Sequence, residues 1–140
     1  MKYFNCLLLS FFLLASGSGF GNDKESNNAA NLYIISPADG AIQKNPVKIV
    51  FGLSGMGVAP AGVDIVNTGH HHLLIDLDNL PDKSLPIPND DKHRHFGAGQ
   101  TETILHLSKG IHTLQLIMGN HSHIPHKIPV VSKKITINIE

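Results

Sequence analysis

The stretch HHHLLIDLD, residues 70–78, decides the fold that the sequence predicts. Its side chains alternate between two sides, with one set comprising His71, Leu73, Ile75 and Leu77 and the other comprising His70, His72, Leu74 and Asp76. A two-residue period indicates a β-strand, because successive side chains of a strand point to opposite faces of the sheet. The centre of the chain is therefore predicted to be a strand with histidines on both faces.

Runs of the same character lie on either side of this stretch, separated by segments rich in Pro, Gly and Asn. They are LYIIS (32–36), VKIVFGL (47–53), TETILHL (101–107), IHTLQLIM (111–118) and KKITINI (133–139). The short connection at residues 108–110 predicts a hairpin between its two neighbours, and no run shows the 3.6-residue period of a helix. We therefore predict an all-β fold over residues 32–140, a small immunoglobulin-like antiparallel β-sandwich of about seven strands.

The first residues have the composition of an export signal. Lys2 precedes an apolar run at residues 6–15, and small residues suited to cleavage follow. This run is shorter than the roughly 20 residues that span a bilayer, which disfavours the alternative of an uncleaved membrane anchor. We predict a cleaved signal peptide at residues 1–21, a flexible polar leader at 22–31, and a periplasmic or secreted mature protein without a membrane span.

Charge and cysteine usage exclude several classes of protein. Lys plus Arg and Asp plus Glu are 11 each, so the formal net charge is zero. Because nucleic-acid binding needs a surplus of basic residues, we expect no nucleic-acid partner. The single cysteine, Cys6, lies in the predicted signal, so we expect it to be removed with that segment. The mature chain then has no disulfide, no thiolate nucleophile, and no Cys-ligated zinc or blue-copper site.

Histidine is the residue type in greatest excess, with 10 in the chain. On a strand, residues two apart share a face at about 7 Å, so His70 and His72 can present two imidazoles together. Two more groups lie in the long segments 79–99 and 119–132, which can close over the same end of a sandwich. Neutral imidazole suits copper or zinc better than calcium or magnesium. The predicted metal ligands are His70, His72, His93, His95, His121, His123 and His126.

The other three histidines are predicted to be structural. His71 and His112 lie on the apolar sides of their strands, which favours hydrogen-bonded positions in the core, and His106 is expected on a solvated face. Catalytic patterns are weak: residues 52–56, GLSGM, depart from the G-x-S-x-G nucleophile motif at the last position. We therefore predict a metal-binding protein that is not an enzyme.

Six segments of the chain resemble the bacterial domain-of-unknown-function family 4399. They are ISPADGA (35–41), VKIVFGLSGMGVAPAG (47–62), TGHHHLLID (68–76), HRHFGAGQTE (93–102), GIHTLQL (110–116) and HIPHKIPVVSKKITI (123–137). The chain departs from the family at Lys127 and Ile128, where an acidic residue and a proline are expected. The resemblance implies an exported β-rich domain with histidine-bearing motifs, and it implies no activity.

Alternatives to a metal-binding module remain open at this point. One is a non-catalytic domain that contacts an envelope protein and uses its histidines for hydrogen bonds within loops. Another is a pH-responsive domain, because histidines with an ordinary pKa of about 6.5 would make the mature protein strongly positive below about pH 6. A copper- or zinc-dependent oxidoreductase is the least favoured.

Overall fold

The computed structural model describes residues 29–140, so the predicted signal peptide and most of the predicted leader lie outside the described residues. The described part contains nine strands and no helix, and hence no helix that could cross a membrane. The all-β prediction is confirmed. In chain order the strands are β1 (Asn31–Ser36), β2 (Ile42–Gln43), β3 (Val47–Ser54), β4 (Gly57–Val58), β5 (Thr68–Ile75), β6 (His93–Phe96), β7 (Glu102–Leu105), β8 (Gly110–Gly119) and β9 (Ile135–Ile139).

Two sheets make up the fold. The smaller one has the order β1-β3-β7, and the larger one has the order β2-β9-β8-β5-β4, with β6 also paired to β5. Two short pairings, β2 with β9 and β4 with β5, are parallel, and the others are antiparallel. The architecture is therefore a mostly antiparallel sandwich, as predicted, in which β2, β4 and β6 are strands that the sequence did not indicate.

The main core lies between the two sheets. Alternation in β5 directs Leu73 and Ile75 inward, where they meet Ile49 and Phe51 of the smaller sheet. β8 contributes Leu114, Leu116 and Met118 to the same core. Burying such side chains is worth about 1.5–3 kcal/mol each, so the alternation of β5 determines which of its faces points into the sandwich.

A second, smaller core covers the opposite, outer face of the larger sheet. Leu74 of β5 and Ile117 of β8 pack there against Ile87, which belongs to the long connection between β5 and β6. Val131, from the connection between β8 and β9, packs on the same group. Two long connections therefore shield a sheet face that would be exposed in a bare sandwich, and His70 and His72 on that face become buried.

The predicted hairpin at residues 101–118 is wrong. β7 pairs with β3 in the smaller sheet, whereas β8 pairs with β5 and β9 in the larger one. The side chain of Asn45 fixes the segment that passes from β7 in the smaller sheet to β8 in the larger one. Its amide nitrogen donates to the Leu107 carbonyl at 2.7 Å, and its oxygen accepts from the Leu107 amide at 3.0 Å. A short connection can cross between sheets here because the Asn45 side chain replaces the ladder partners that Leu107 lacks.

The three histidines predicted to be structural have the expected environments. His71 is 1% exposed, packs on Phe51 with ring centroids 5.1 Å apart, and places Nδ1 3.2 Å from the Gln100 carbonyl oxygen. His112 is also buried, whereas His106 is exposed. The positions of His71 in β5 and His112 in β8 follow from strand alternation, whereas His106 lies one residue beyond the end of β7.

His112 is held between two acceptors. Its Nδ1 lies 2.7 Å from Asp76 Oδ2, and its Nε2 lies 2.9 Å from the Ser108 carbonyl oxygen. Burial alone lowers the pKa of His112, but the hydrogen bonds to Asp76 and Ser108 outweigh it, and the net pKa is raised. The protonated ring can donate through both nitrogens at once, which the neutral ring cannot do.

Candidate metal centre

Two neighbouring strands bring three histidines together on the outer face of the larger sheet. His70 and His72 share this face of β5 and are both 0% exposed. His95 of β6 lies directly across from His72 in the antiparallel ladder. One ligand nitrogen from each of the three lies within 4.8 Å of the other two. We call His70, His72 and His95 the histidine cluster.

The spacing of the rings suits a single metal ion. The Nε2 atoms of His70 and His72 are 3.1 Å apart. Two imidazole nitrogens bound tetrahedrally at about 2.0–2.1 Å from one zinc ion would be separated by about 3.3–3.4 Å. The ring centroid of His95 is 5.0 Å from that of His70 and 5.0 Å from that of His72. The Nε2 atoms of His70 and His72 would therefore need to move apart by only a few tenths of an ångström to bind one tetrahedral ion.

A fourth imidazole, His123, lies against the cluster from the connection between β8 and β9. Its ring centroid is 4.7 Å from that of His95 and 5.0 Å from that of His70. The turn that carries it has a left-handed backbone at His123, with φ 66°, and Asn120 holds this turn by accepting the His123 amide on its carbonyl at 2.9 Å. The His123 carbonyl in turn accepts the Ile87 amide at 2.9 Å. Both long connections therefore meet at the cluster.

Burial keeps the cluster uncharged. Desolvation, followed by the charges of neighbouring histidines, lowers the pKa of His70 to about 4 and that of His72 to about 3. The pKa of His95 is lowered as well, first by burial and then by His123. Histidine binds a metal only in its deprotonated form. At neutral pH all three rings are therefore ready to act as ligands without first releasing a proton.

Several ring nitrogens of the cluster have no protein partner. Among residues 29–140, the buried atoms His70 Nδ1, His72 Nδ1 and His95 Nε2 form no hydrogen bond with protein groups. Buried polar atoms are nearly always paired, and leaving one unpaired costs about 1–3 kcal/mol. Three such atoms in one place are hard to explain by packing. Of the three, His95 Nε2 fits a ligand whose partner is a metal ion, whereas the Nδ1 atoms of His70 and His72 are the second nitrogens of rings whose Nε2 atoms lie 3.1 Å apart.

Two glycines make room for the rings, and the sequence offered no sign of their role. A Cβ on Gly119 would lie 2.9 Å from His72 Nε2, and a Cβ on Gly97 would overlap the His95 ring. In sequence these residues look like ordinary glycines at strand ends. Their function becomes visible only when the register places Gly119 opposite His70, so that the ring of the neighbouring His72 lies over it.

Replacing Gly119 with alanine should therefore weaken both the metal site and the fold. The added methyl group displaces the His72 ring, and we expect metal affinity to fall about ten-fold, with about 1–3 kcal/mol lost from the metal-free protein through overpacking. Metal titration and chemical unfolding measure the two effects. Gly57→Ala is the matched control, because Gly57 is exposed on β4 and its nearest side-chain neighbour is Thr68. An unchanged affinity in Gly119→Ala would contradict the placement of His72 as a ligand.

The other three predicted ligands make different contacts. His93 Nδ1 lies 2.8 Å from Asp90 Oδ1, and His121 Nδ1 lies 3.2 Å from Asp64 Oδ1. His126 has a buried Nε2 without a protein partner, and burial lowers its pKa. The structure thus brings together four of the seven predicted residues and holds two of the remaining three beside carboxylates.

A family model described as "Domain of unknown function (DUF4399)" matches residues 49–140. The chain belongs to this family. The matched residues include all four imidazoles at the site, whereas the segment ISPADGA (35–41) lies before them. Comparison with curated proteins and with solved structures finds no similar protein. Membership in DUF4399 therefore supports the resemblance noted in the sequence, and it assigns no activity.

Proposed function

We propose that this protein is an exported metal-binding module that holds one copper or zinc ion through His70, His72 and His95, with His123 as a fourth ligand. The observation that carries the proposal is the convergence of three uncharged imidazoles within 4.8 Å of one another on a shielded sheet face. The predicted signal at residues 1–21 supports a periplasmic or secreted location, where a thiol-free metal site would rely on histidine.

The arrangement favours storage of the ion or stabilisation of the fold over catalysis. Structural metal sites have four protein ligands, whereas catalytic sites keep one position open for water or substrate. The His123 ring lies beside the cluster, with its centroid 4.7 Å from that of His95, 5.0 Å from that of His70 and 6.1 Å from that of His72, and we take it as the fourth ligand. We therefore infer a module without enzymatic activity, in which the ion joins β5, β6 and the connection that carries His123.

Elemental analysis of the untagged protein purified from its native envelope tests this function. We expect close to one equivalent of copper or zinc per chain, and a polyhistidine tag must be avoided because it binds the same metals. Calorimetric titration of the metal-free protein should give the same stoichiometry. The proposal is overturned if neither metal co-purifies and both bind only in the millimolar range.

A further inference from the structure

The cluster contains no negative charge. Its three members are imidazoles, and among residues 29–140 no carboxylate joins the group. The nearby acidic side chains belong elsewhere: Asp90 contacts His93 at 2.8 Å and Asp64 contacts His121 at 3.2 Å. Both carboxylates are more than half exposed, so water screens their charge. An ion bound at the cluster would therefore keep its full charge.

In the described part of the chain, the groups around the ligand rings also supply no negative charge that would neutralise a bound ion. In most metal sites, the second nitrogen of each ligating histidine donates to a carboxylate or carbonyl, which helps to neutralise the ion. Here the Nδ1 atoms of His70 and His72 are buried and have no such acceptor among the described residues. The site therefore offers several nitrogen ligands but, among the described residues, no anionic group in the cluster.

Burial penalises ions according to their charge. The Born energy of desolvation rises with the square of the charge, so the desolvation penalty of a divalent ion is about four times that of a monovalent ion of the same size. His70 and His72 are fully buried, and within residues 29–140 no carboxylate joins the cluster to offset this penalty. Among monovalent ions, those that prefer oxygen ligands are disfavoured by an all-nitrogen site, whereas copper(I), whose softest partners are Cys and Met sulfur, also accepts imidazole nitrogen.

We propose that the histidine cluster selects copper(I) and binds it more tightly than Zn²⁺ or Cu²⁺. This inference rests on the proposed metal-binding function and adds the identity and oxidation state of the ion. Copper(I) satisfies the nitrogen ligands while placing a single charge in the shielded space. No oxidation or reduction by the protein is involved, since the ion enters and leaves as copper(I).

The first test compares affinities in the full mature protein. Copper(I) is titrated under anaerobic conditions against the chromophoric chelator bicinchoninate, and Zn²⁺ is titrated against a chromophoric zinc chelator. We expect the dissociation constant for copper(I) to be about a hundred-fold below that for Zn²⁺. Equal or tighter binding of Zn²⁺ overturns this inference and leaves the metal-binding function intact. Absence of binding by either ion overturns both.

A second test adds the missing charge. His123→Glu places a carboxylate beside the cluster, and His123→Gln removes the same ring without adding charge. Because a carboxylate attracts a divalent ion twice as strongly as a monovalent one, the ratio of Zn²⁺ to copper(I) affinity should be roughly a hundred-fold higher in His123→Glu than in His123→Gln. Equal ratios in the two variants overturn the inference. His106→Glu places the same carboxylate at an exposed position, and it should leave the ratio of Zn²⁺ to copper(I) affinity unchanged from that of the unmodified protein. A rise in this ratio as large as that in His123→Glu would also count against the inference.

Discussion

Replacing His70 and His72 together with leucine should abolish the stabilisation of this protein by copper or zinc. In the unmodified protein, an ion present at about 100 times its dissociation constant adds about 2.7 kcal/mol and raises the melting temperature of a domain of this size by about 10 °C. The double variant lacks two of the three ligands in the cluster, so its melting temperature should not respond to metal. Differential scanning calorimetry with and without the ion measures this directly.

Leucine is chosen because it fills the space without offering a ligand. Removing the unpartnered Nδ1 atoms of His70 and His72 should leave the metal-free variant as stable as the unmodified protein or more so. The pair His70→Ala and His72→Ala should lose the metal response too, but with about 2–5 kcal/mol of cavity cost. His71→Leu is the matched control, because His71 is equally buried on the opposite face of β5 and should keep the full metal response. A metal response that survives in the leucine double variant would rule out the cluster as the site.

Local alternation predicted correctly which histidines face which way. A strand over residues 70–78 requires His70 and His72 to share one face and His71 to occupy the other, and the structure has this arrangement. The main core followed from the same rule, since Leu73 and Ile75 share the face of His71. These features depend only on the two-residue period of a strand, which the sequence carries in full.

Features that depend on contacts between distant residues could not be predicted. The face of His70 and His72 would be solvated in a bare sandwich, and it is buried because Ile87 and Val131 arrive from two connections and pack against Leu74 and Ile117. β6 lies in a region predicted as loop, although the pair His93 and His95 already had the spacing of a strand. Its pairing with β5, which places His95 across from His72, is a long-range contact that no local pattern encodes.

The metal-free protein should lose much of its stability between pH 8 and pH 5. Burial is the leading cause that lowers the pKa of His70 and His71 to about 4 and that of His72 to about 3, from 6.5 in the unfolded chain. Below pH 6.5 the unfolded chain therefore binds protons that the folded protein does not bind, and stability falls as the pH falls. At pH 5 each group costs about 2 kcal/mol, or about 6 kcal/mol together, which is comparable to the total stability of a typical domain.

His112 acts in the opposite direction and offsets part of this loss. Its pKa is raised in the folded protein, so its contribution is complete below the unfolded pKa and disappears as the pH rises. The expected net result is a steep loss of stability on acidification, which urea unfolding at a series of pH values measures. In the leucine double variant only His71 of the three remains, so their joint contribution to the loss should shrink from about 6 to about 2 kcal/mol. A flat profile for the unmodified protein would show that these rings are solvated or charged, and that they are not buried neutral ligands.

The same experiment with metal present separates two functions that share this acid sensitivity. A bound ion and a proton compete for the same ring nitrogens, so saturating copper or zinc should move the acid unfolding midpoint to lower pH. In a protein whose buried histidines serve only as a pH sensor, the ion has no preferred partner in the folded state and the midpoint should stay where it is. Because His71 contributes to acid sensitivity and faces away from the cluster, its replacement by leucine should weaken the pH dependence and preserve the shift caused by metal. Loss of that shift in His71→Leu would mean that the ion binds on the core side of β5, and the cluster on the outer face would then have another role.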